Sequence, residues 1–279
     1  MKKLISLICV LAMVLALAAC GSSAPAAATE APAASTEAPA EDVSADKTFV
    51  VGICQLVQHP ALDAATQGFK DALTEALGDK VSFQEQNASG DSATCSLICN
   101  QFVSDEVDLI MANATASIQA AASATNTIPI LGTSITDYGV ALGVDNWTGV
   151  SGTNISGTSD LAPLDGQAAM IQELFPDAKT IGLLYCSGEP NSIFQADSME
   201  ALLTDMGYSV ERYTFADSND VSSVTANACS NADVLYIPTD NTAASCTEAI
   251  NNVALSAGIP IVAGEEGIAS GCGVATLSI

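Results

Sequence analysis

Positive charge is scarce in this chain. Its 279 residues hold seven Lys and Arg against 32 Asp and Glu, a formal net charge of −25. A protein that grips nucleic acid must bring cations to the phosphates, and two of these seven, Lys2 and Lys3, lie in an N-terminal leader, so nucleic-acid binding is excluded. Histidine and tryptophan are nearly absent, with His59 and Trp147 the single examples. There is no CxxC, GxSxG, GxGxxG or P-loop pattern, so the usual signatures of zinc ribbons, serine hydrolases and nucleotide sites are missing. Glu265 and Glu266 are sequence neighbours, which does not define the opposed carboxylates of a glycosidase. No enzyme, cofactor or metal site is expected. The charged fraction is only 14% but the hydrophobic fraction is 49%, which supports a large core and excludes global disorder.

What is present begins with a leader. Lys2-Lys3 precedes an apolar stretch from Leu4 to Leu17, and Leu17-Ala18-Ala19-Cys20 then places small residues before a cysteine. This resembles a bacterial lipoprotein signal, with 1–19 removed and Cys20 lipidated; the plainer alternative is a secretory leader cut after Ala19. Residues 20–46 are an Ala, Pro, Ser, Thr and Glu spacer with too little apolar surface to fold. No later apolar run reaches 18 residues, so the expected location is outside the cytoplasm, held to the membrane only by lipid.

Nine cysteines include Cys9 and Cys20, leaving seven in the body: Cys54, Cys95, Cys99, Cys186, Cys229, Cys246 and Cys272. An odd number cannot all pair, and a reducing habitat is the simplest resolution. Cys95 and Cys99, four apart on an expected helix, could ligate a soft metal, but small apolar packing explains them better.

Along the body, β-branched apolar runs alternate with amphipathic stretches. Strands are expected at Thr48–Cys54, Val81–Gln86, Asp108–Ala112 and Pro129–Leu131, with helices at Pro60–Leu77, Asp91–Ser104 and Thr115–Ala124. A second set places strands at Thr180–Tyr185, Ser209–Thr214, Asp233–Ile237 and Ile259–Ala263. Its helices are expected at Leu161–Phe175, Asn191–Met206, Asp220–Cys229 and Thr242–Ala257. Unbroken β-α order with apolar strands means parallel sheets covered on both faces. The fold class is therefore α/β, two doubly wound lobes at 47–152 and 153–279, with the Gly- and Thr-rich stretch 143–154 as the hinge. In such sheets ligands bind beyond the carboxyl ends of the strands, so two facing lobes make a cleft.

Several strings in order, VGICQLVQHPALDAATQGFKDAL, IMANAT, TSITD, VSGTNIS, YCSGEPNS, IPTDNT and GEEG, resemble the solute-binding component of ABC importers. The resemblance is to the subgroup of tryptophan and aromatic amino-acid binding proteins and runs from about Lys47 to the last residue. It implies a type I periplasmic-binding-protein-like fold, a monomer that holds a small amino-acid-like ligand, possibly aromatic, and a membrane permease as partner. An alternative is a sensory lipoprotein that presents its closed form to a receptor kinase. The family continues past a strand at 273–279 with another hinge crossing and a helix, so the resemblance also implies C-terminal truncation here.

An α-amino acid needs an anion site and a cation site. Asn113, Thr115 and Ser117 open a helix after a strand, where free N–H groups and hydroxyls suit a carboxylate, with Thr133 and Ser134 completing the site; a plain helix cap is the alternative. Glu189 and Asp240 are the candidates for the ammonium, with Ser187, Asn191, Ser192 and Asn241 in the same turns, and Gln55 and Glu266 as lesser ones. Capping is again the alternative for Asp240 and Asn191. His59, before Pro60, is as readily a turn or pocket-wall residue as a ligand. Of the aromatics, Trp147 and a few Tyr and Phe are available for stacking.

Overall fold

The computed structural model describes residues 47–278. The leader, Cys20 and the spacer lie outside the described residues. The first lobe runs β1 (Phe49–Gln55), α1 (Pro60–Leu77), β2 (Val81–Asn87), α2 (Ser92–Ser104), β3 (Leu109–Asn113), α3 (Thr115–Ala124), β4 (Ile130–Ile135), α4 (Tyr138–Leu142) and β5 (Ile155–Ser159). Its five strands are all parallel in the order β2-β1-β3-β4-β5.

The second lobe runs α5 (Leu164–Leu174), β6 (Thr180–Cys186), α6 (Pro190–Asp205), β7 (Ser209–Phe215), α7 (Val221–Asn231) and β8 (Val234–Ile237). It continues with α8 (Asn241–Ser245), α9 (Thr247–Ala257), β9 (Ile261–Ala263), α10 (Glu266–Cys272) and β10 (Ala275–Thr276). This sheet is also parallel, in the order β10-β9-β8-β6-β7.

The strands form because they can be buried on both faces. Ile53 and Cys54 of β1, Ile110 and Ala112 of β3, and Leu183 and Leu184 of β6 are fully buried, and each large aliphatic side chain taken from water contributes roughly 1.5–3 kcal/mol. Helix α1 starts with Pro60 in its first turn and stops at Gly78, whose φ of 58° suits glycine. Packing also forbids side chains in places: a Cβ on Gly52 would lie 2.6 Å from the Phe102 ring.

The crossing between lobes differs from expectation. Residues 143–154 are a loop inside the first lobe, because Ile155–Ser159 returns to pair with β4, and the chain leaves for the second lobe only at 160–163. Strand β5 (ISGTS) has one buried residue followed by four exposed ones, so it carries no apolar signal. The helix expected at Thr242–Ala257 breaks at Cys246 into α8 and α9, and the one expected from Leu161 begins at Leu164, after Pro163. Helices α4 and α10 were not foreseen. All seven body cysteines are free thiols, and Cys54, Cys95 and Cys99 are wholly buried in the first lobe.

Candidate functional site

Both sheets present the carboxyl ends of their strands to one cleft. A cavity of about 480 Å³ there is lined by Leu56, Val57 and Asp91 of the first lobe and by Cys186, Glu189 and Thr242 of the second, among others. A second gap of about 530 Å³ lies between the start of α1 (Pro60, Ala61, Ala64) and the turn carrying Glu265 and Glu266. Both are within the size range of small-molecule pockets.

On the first lobe, two strand exits are strained. Ala114, between β3 and α3, has φ 89° and ψ 161°, a conformation nearly reserved for glycine, and Ser134 at the end of β4 has φ 56°. Such backbone costs about 1–3 kcal/mol per residue and persists where the surroundings impose it, commonly at ligand sites. No side chain caps the N-terminus of α3, so its first-turn N–H groups carry the helix's positive end uncapped. Thr115 stands at that end, and Thr133 and Ser134 are half-buried on the neighbouring exit.

Other first-lobe candidates turn inward. Gln55 donates to the Val57 carbonyl (2.9 Å) and Asp63 (2.7 Å) and accepts from Thr66 (2.6 Å). Asn113 donates to the Leu62 carbonyl and the Thr66 hydroxyl, both at 2.9 Å. Together these two amides tie α1 to β1 and β3. Ser117 is fully buried, its hydroxyl 3.6 Å from the thiols of Cys54 and Cys95, because two residues of helix rotate it away from Thr115 and into the core.

On the second lobe the two expected ammonium partners are occupied. Asp240 is 1% exposed; one carboxylate oxygen caps α8 through the Ala243 N–H (2.7 Å) and the other accepts from the Cys186 N–H (2.7 Å). Burial raises its pKa to about 7, reinforced by the Glu189 charge, while those backbone N–H groups pull the other way. Glu189 receives five donors: Asn241 N and Nδ2, Asn191 Nδ2, Thr242 N and the Thr242 hydroxyl, at 2.7–3.2 Å. Both carboxylates therefore organise the α8 turn, the capping role that was the alternative for Asp240, and Glu189 also lines the 480 Å³ cavity. Asn191 also donates to the Thr239 carbonyl (3.1 Å) and to the buried Ser192 hydroxyl (3.2 Å), while the exposed Ser187 donates to the Phe215 carbonyl (3.2 Å). Glu266 is exposed at the second gap, and its neighbour Glu265 caps α10.

A carboxylate oxygen that lacks a partner was not foreseen. Asp160, the residue after β5, has Oδ1 buried without a hydrogen bond. Burial raises its pKa, its own backbone N–H and the Thr136 hydroxyl lower it, and the charge of Glu265 on the second lobe raises it further. It follows a weak polar strand, so nothing in the periodicity marked it. Trp147 stacks on Tyr138 with ring centroids 6.0 Å apart and lines neither the 480 Å³ cavity nor the gap beside α1. Among the described residues no cluster could hold a metal ion, and no helix is long and apolar enough to cross a membrane.

Two parallel-sheet lobes with strand exits facing across a cleft define a type I periplasmic-binding-protein fold. The chain belongs to the ABC transporter substrate binding protein family, whose model matches residues 50–279. It is 39% identical over 232 residues to the tyrosine-binding protein of Clostridioides difficile (strain R20291), covering 82% of this chain and 67% of the relative. The structure of an ABC domain from Streptococcus pneumonia in complex with L-Trp aligns with a TM-score of 0.78 at 31% identity, over 82% of this chain and 78% of that one. The ligand-free, open structure of a Clostridium difficile substrate binding protein with adhesive properties aligns with a TM-score of 0.56 at 38% identity, over 81% and 77%.

Proposed function

We propose that this protein captures an α-amino acid between its lobes outside the cytoplasm and delivers it to an ABC permease. The carboxylate would lie on the uncapped start of α3, with Thr115, Thr133 and Ser134 around it, and the ammonium would meet Asp160 with Glu265 opposite. One observation carries this reading: a buried carboxylate oxygen without a donor, at the strand exits of a substrate-binding protein. A buried unpaired acceptor costs stability, and a ligand N–H donor relieves it. Relatives named for tyrosine and crystallised with L-Trp support an aromatic amino acid.

Calorimetry against the twenty amino acids tests the ligand class, with L-tyrosine and L-tryptophan expected to bind. In Asp160→Ala the ammonium loses its counter-charge, about 3–5 kcal/mol for a desolvated pair, so affinity should fall at least roughly a hundredfold. The melting temperature should hold or rise, since a buried acceptor oxygen without a donor is gone. Unchanged affinity would remove Asp160 from the site. We also propose that Cys20 is lipidated and that residues 20–46 act as the tether.

A further inference from the structure

Among the described residues, a single hydrogen bond joins the two lobes: His59 Nε2 to Asn241 Oδ1, 3.3 Å. His59 is 7% exposed, although it precedes a helix start and its side chain takes no part in capping α1. It follows the β1 exit, two residues after Val57, which borders the 480 Å³ cavity, and one before Pro60 at the other gap.

Its partner is held rigidly. Glu189 accepts from Asn241 through both the backbone N (3.0 Å) and Nδ2 (2.7 Å). A carboxylate takes only donors, so the Asn241 amide must turn its nitrogen toward Glu189 and its oxygen toward His59. His59 is then the donor, with the proton on Nε2.

We propose that His59 is a positioning residue for ligand capture: it latches the first lobe onto the Glu189-anchored turn of α8 and so sets how much of the protein is closed. The proposal rests on the reading that the lobes close over a ligand, but the latch acts in the ligand-free protein too. A ligand that binds the closed form pays for closure in lost affinity, in proportion to how rarely that form is populated.

The experiment places a pair of fluorophores or spin labels on the exposed residues Gln67 and Ser256, one on each lobe, and records the inter-lobe distance distribution without ligand. His59→Ala should shift it toward longer distances, with an unchanged melting temperature. Affinity for L-tyrosine or L-tryptophan should fall roughly three- to tenfold, the worth of one hydrogen bond, mainly through faster release. His59→Gln, which keeps an N–H donor, should restore much of both. In an Asn241→Ala background, His59→Ala should do nothing more. An unchanged distance distribution in His59→Ala, or full additivity of the two alanine variants, would overturn the latch. Loss of melting temperature in His59→Ala without rescue by Gln would assign His59 to packing instead. If neither amino acid binds but the distances shift as stated, the latch stands and the ligand assignment fails.

Discussion

Asp240 and Asp160 show how the same side chain takes opposite roles through its neighbours. Asp240 has two backbone donors and serves the fold, while Asp160 keeps a buried oxygen without one. Burial raises the pKa of each, so each favours folding most when protonated. For Asp240, with a folded-state value near 7 against the ordinary 3.8, that stability is complete at low pH and is lost as pH rises through about 7. The melting temperature should therefore climb when pH is lowered from 8 to 5. Asp240→Asn should flatten this slope, and equal slopes in both proteins would show that Asp240 does not titrate in this window.

At the scale of elements, the pairing of β4 with β5 depends on Gly157. Its φ is 152°, and a Cβ there would fall 2.1 Å from the Gly132 carbonyl and from the Tyr138 hydroxyl. Gly157→Ala must push β5 off the sheet, an overpacking cost of about 1–3 kcal/mol. Because Asp160 follows directly on β5, affinity should fall together with stability in urea unfolding and calorimetry. Gly68→Ala is the control: nothing lies within 4 Å of its Cβ, it is inside α1, and the change should stabilise by roughly 0.5–1 kcal/mol. Equal unfolding midpoints for the two variants would remove β5 packing as the cause.

For the whole molecule, charge and tether act together. A body with 27 acids against five bases repels anionic lipid headgroups, and Lys47, Lys70 and Arg212 are already paired with Asp108, Glu85, and Asp197 and Glu200. The folded lobes thus have no electrostatic reason to stay on a membrane, and retention falls to the lipid proposed on Cys20. Cys20→Ser should move the protein from the membrane fraction to the soluble one while affinity and melting temperature stay as they were. Continued sedimentation with membranes would count against the lipid.

The two parallel sheets, apart from β5, and most of their helices were legible in the amino-acid order alone. Apolar β-branched runs such as Phe49–Gln55 and Thr180–Cys186 can be buried on both faces only in parallel sheets, and Pro60 and Gly78 delimit α1 from within a few residues. These signals are local, so they are legible in order along the chain. The strand exits as a whole were legible too, and Thr115, Thr133 and Ser134 stand at them. Which polar side chain keeps free valence emerges only once the elements are packed. Glu189 and Asp240 look like ligand groups in isolation, yet they take donors from α8 and from Cys186, up to 54 residues away, and Asn191 donates to Glu189 and to the Thr239 carbonyl. Asp160 follows a strand with no apolar pattern, and its unpaired oxygen is a property of the packed surroundings. The His59–Asn241 contact spans 182 residues and exists only because two sheets fold separately and then face each other. Hydrogen-bond satisfaction is a sum over neighbours in space, and a linear pattern records only neighbours in the chain.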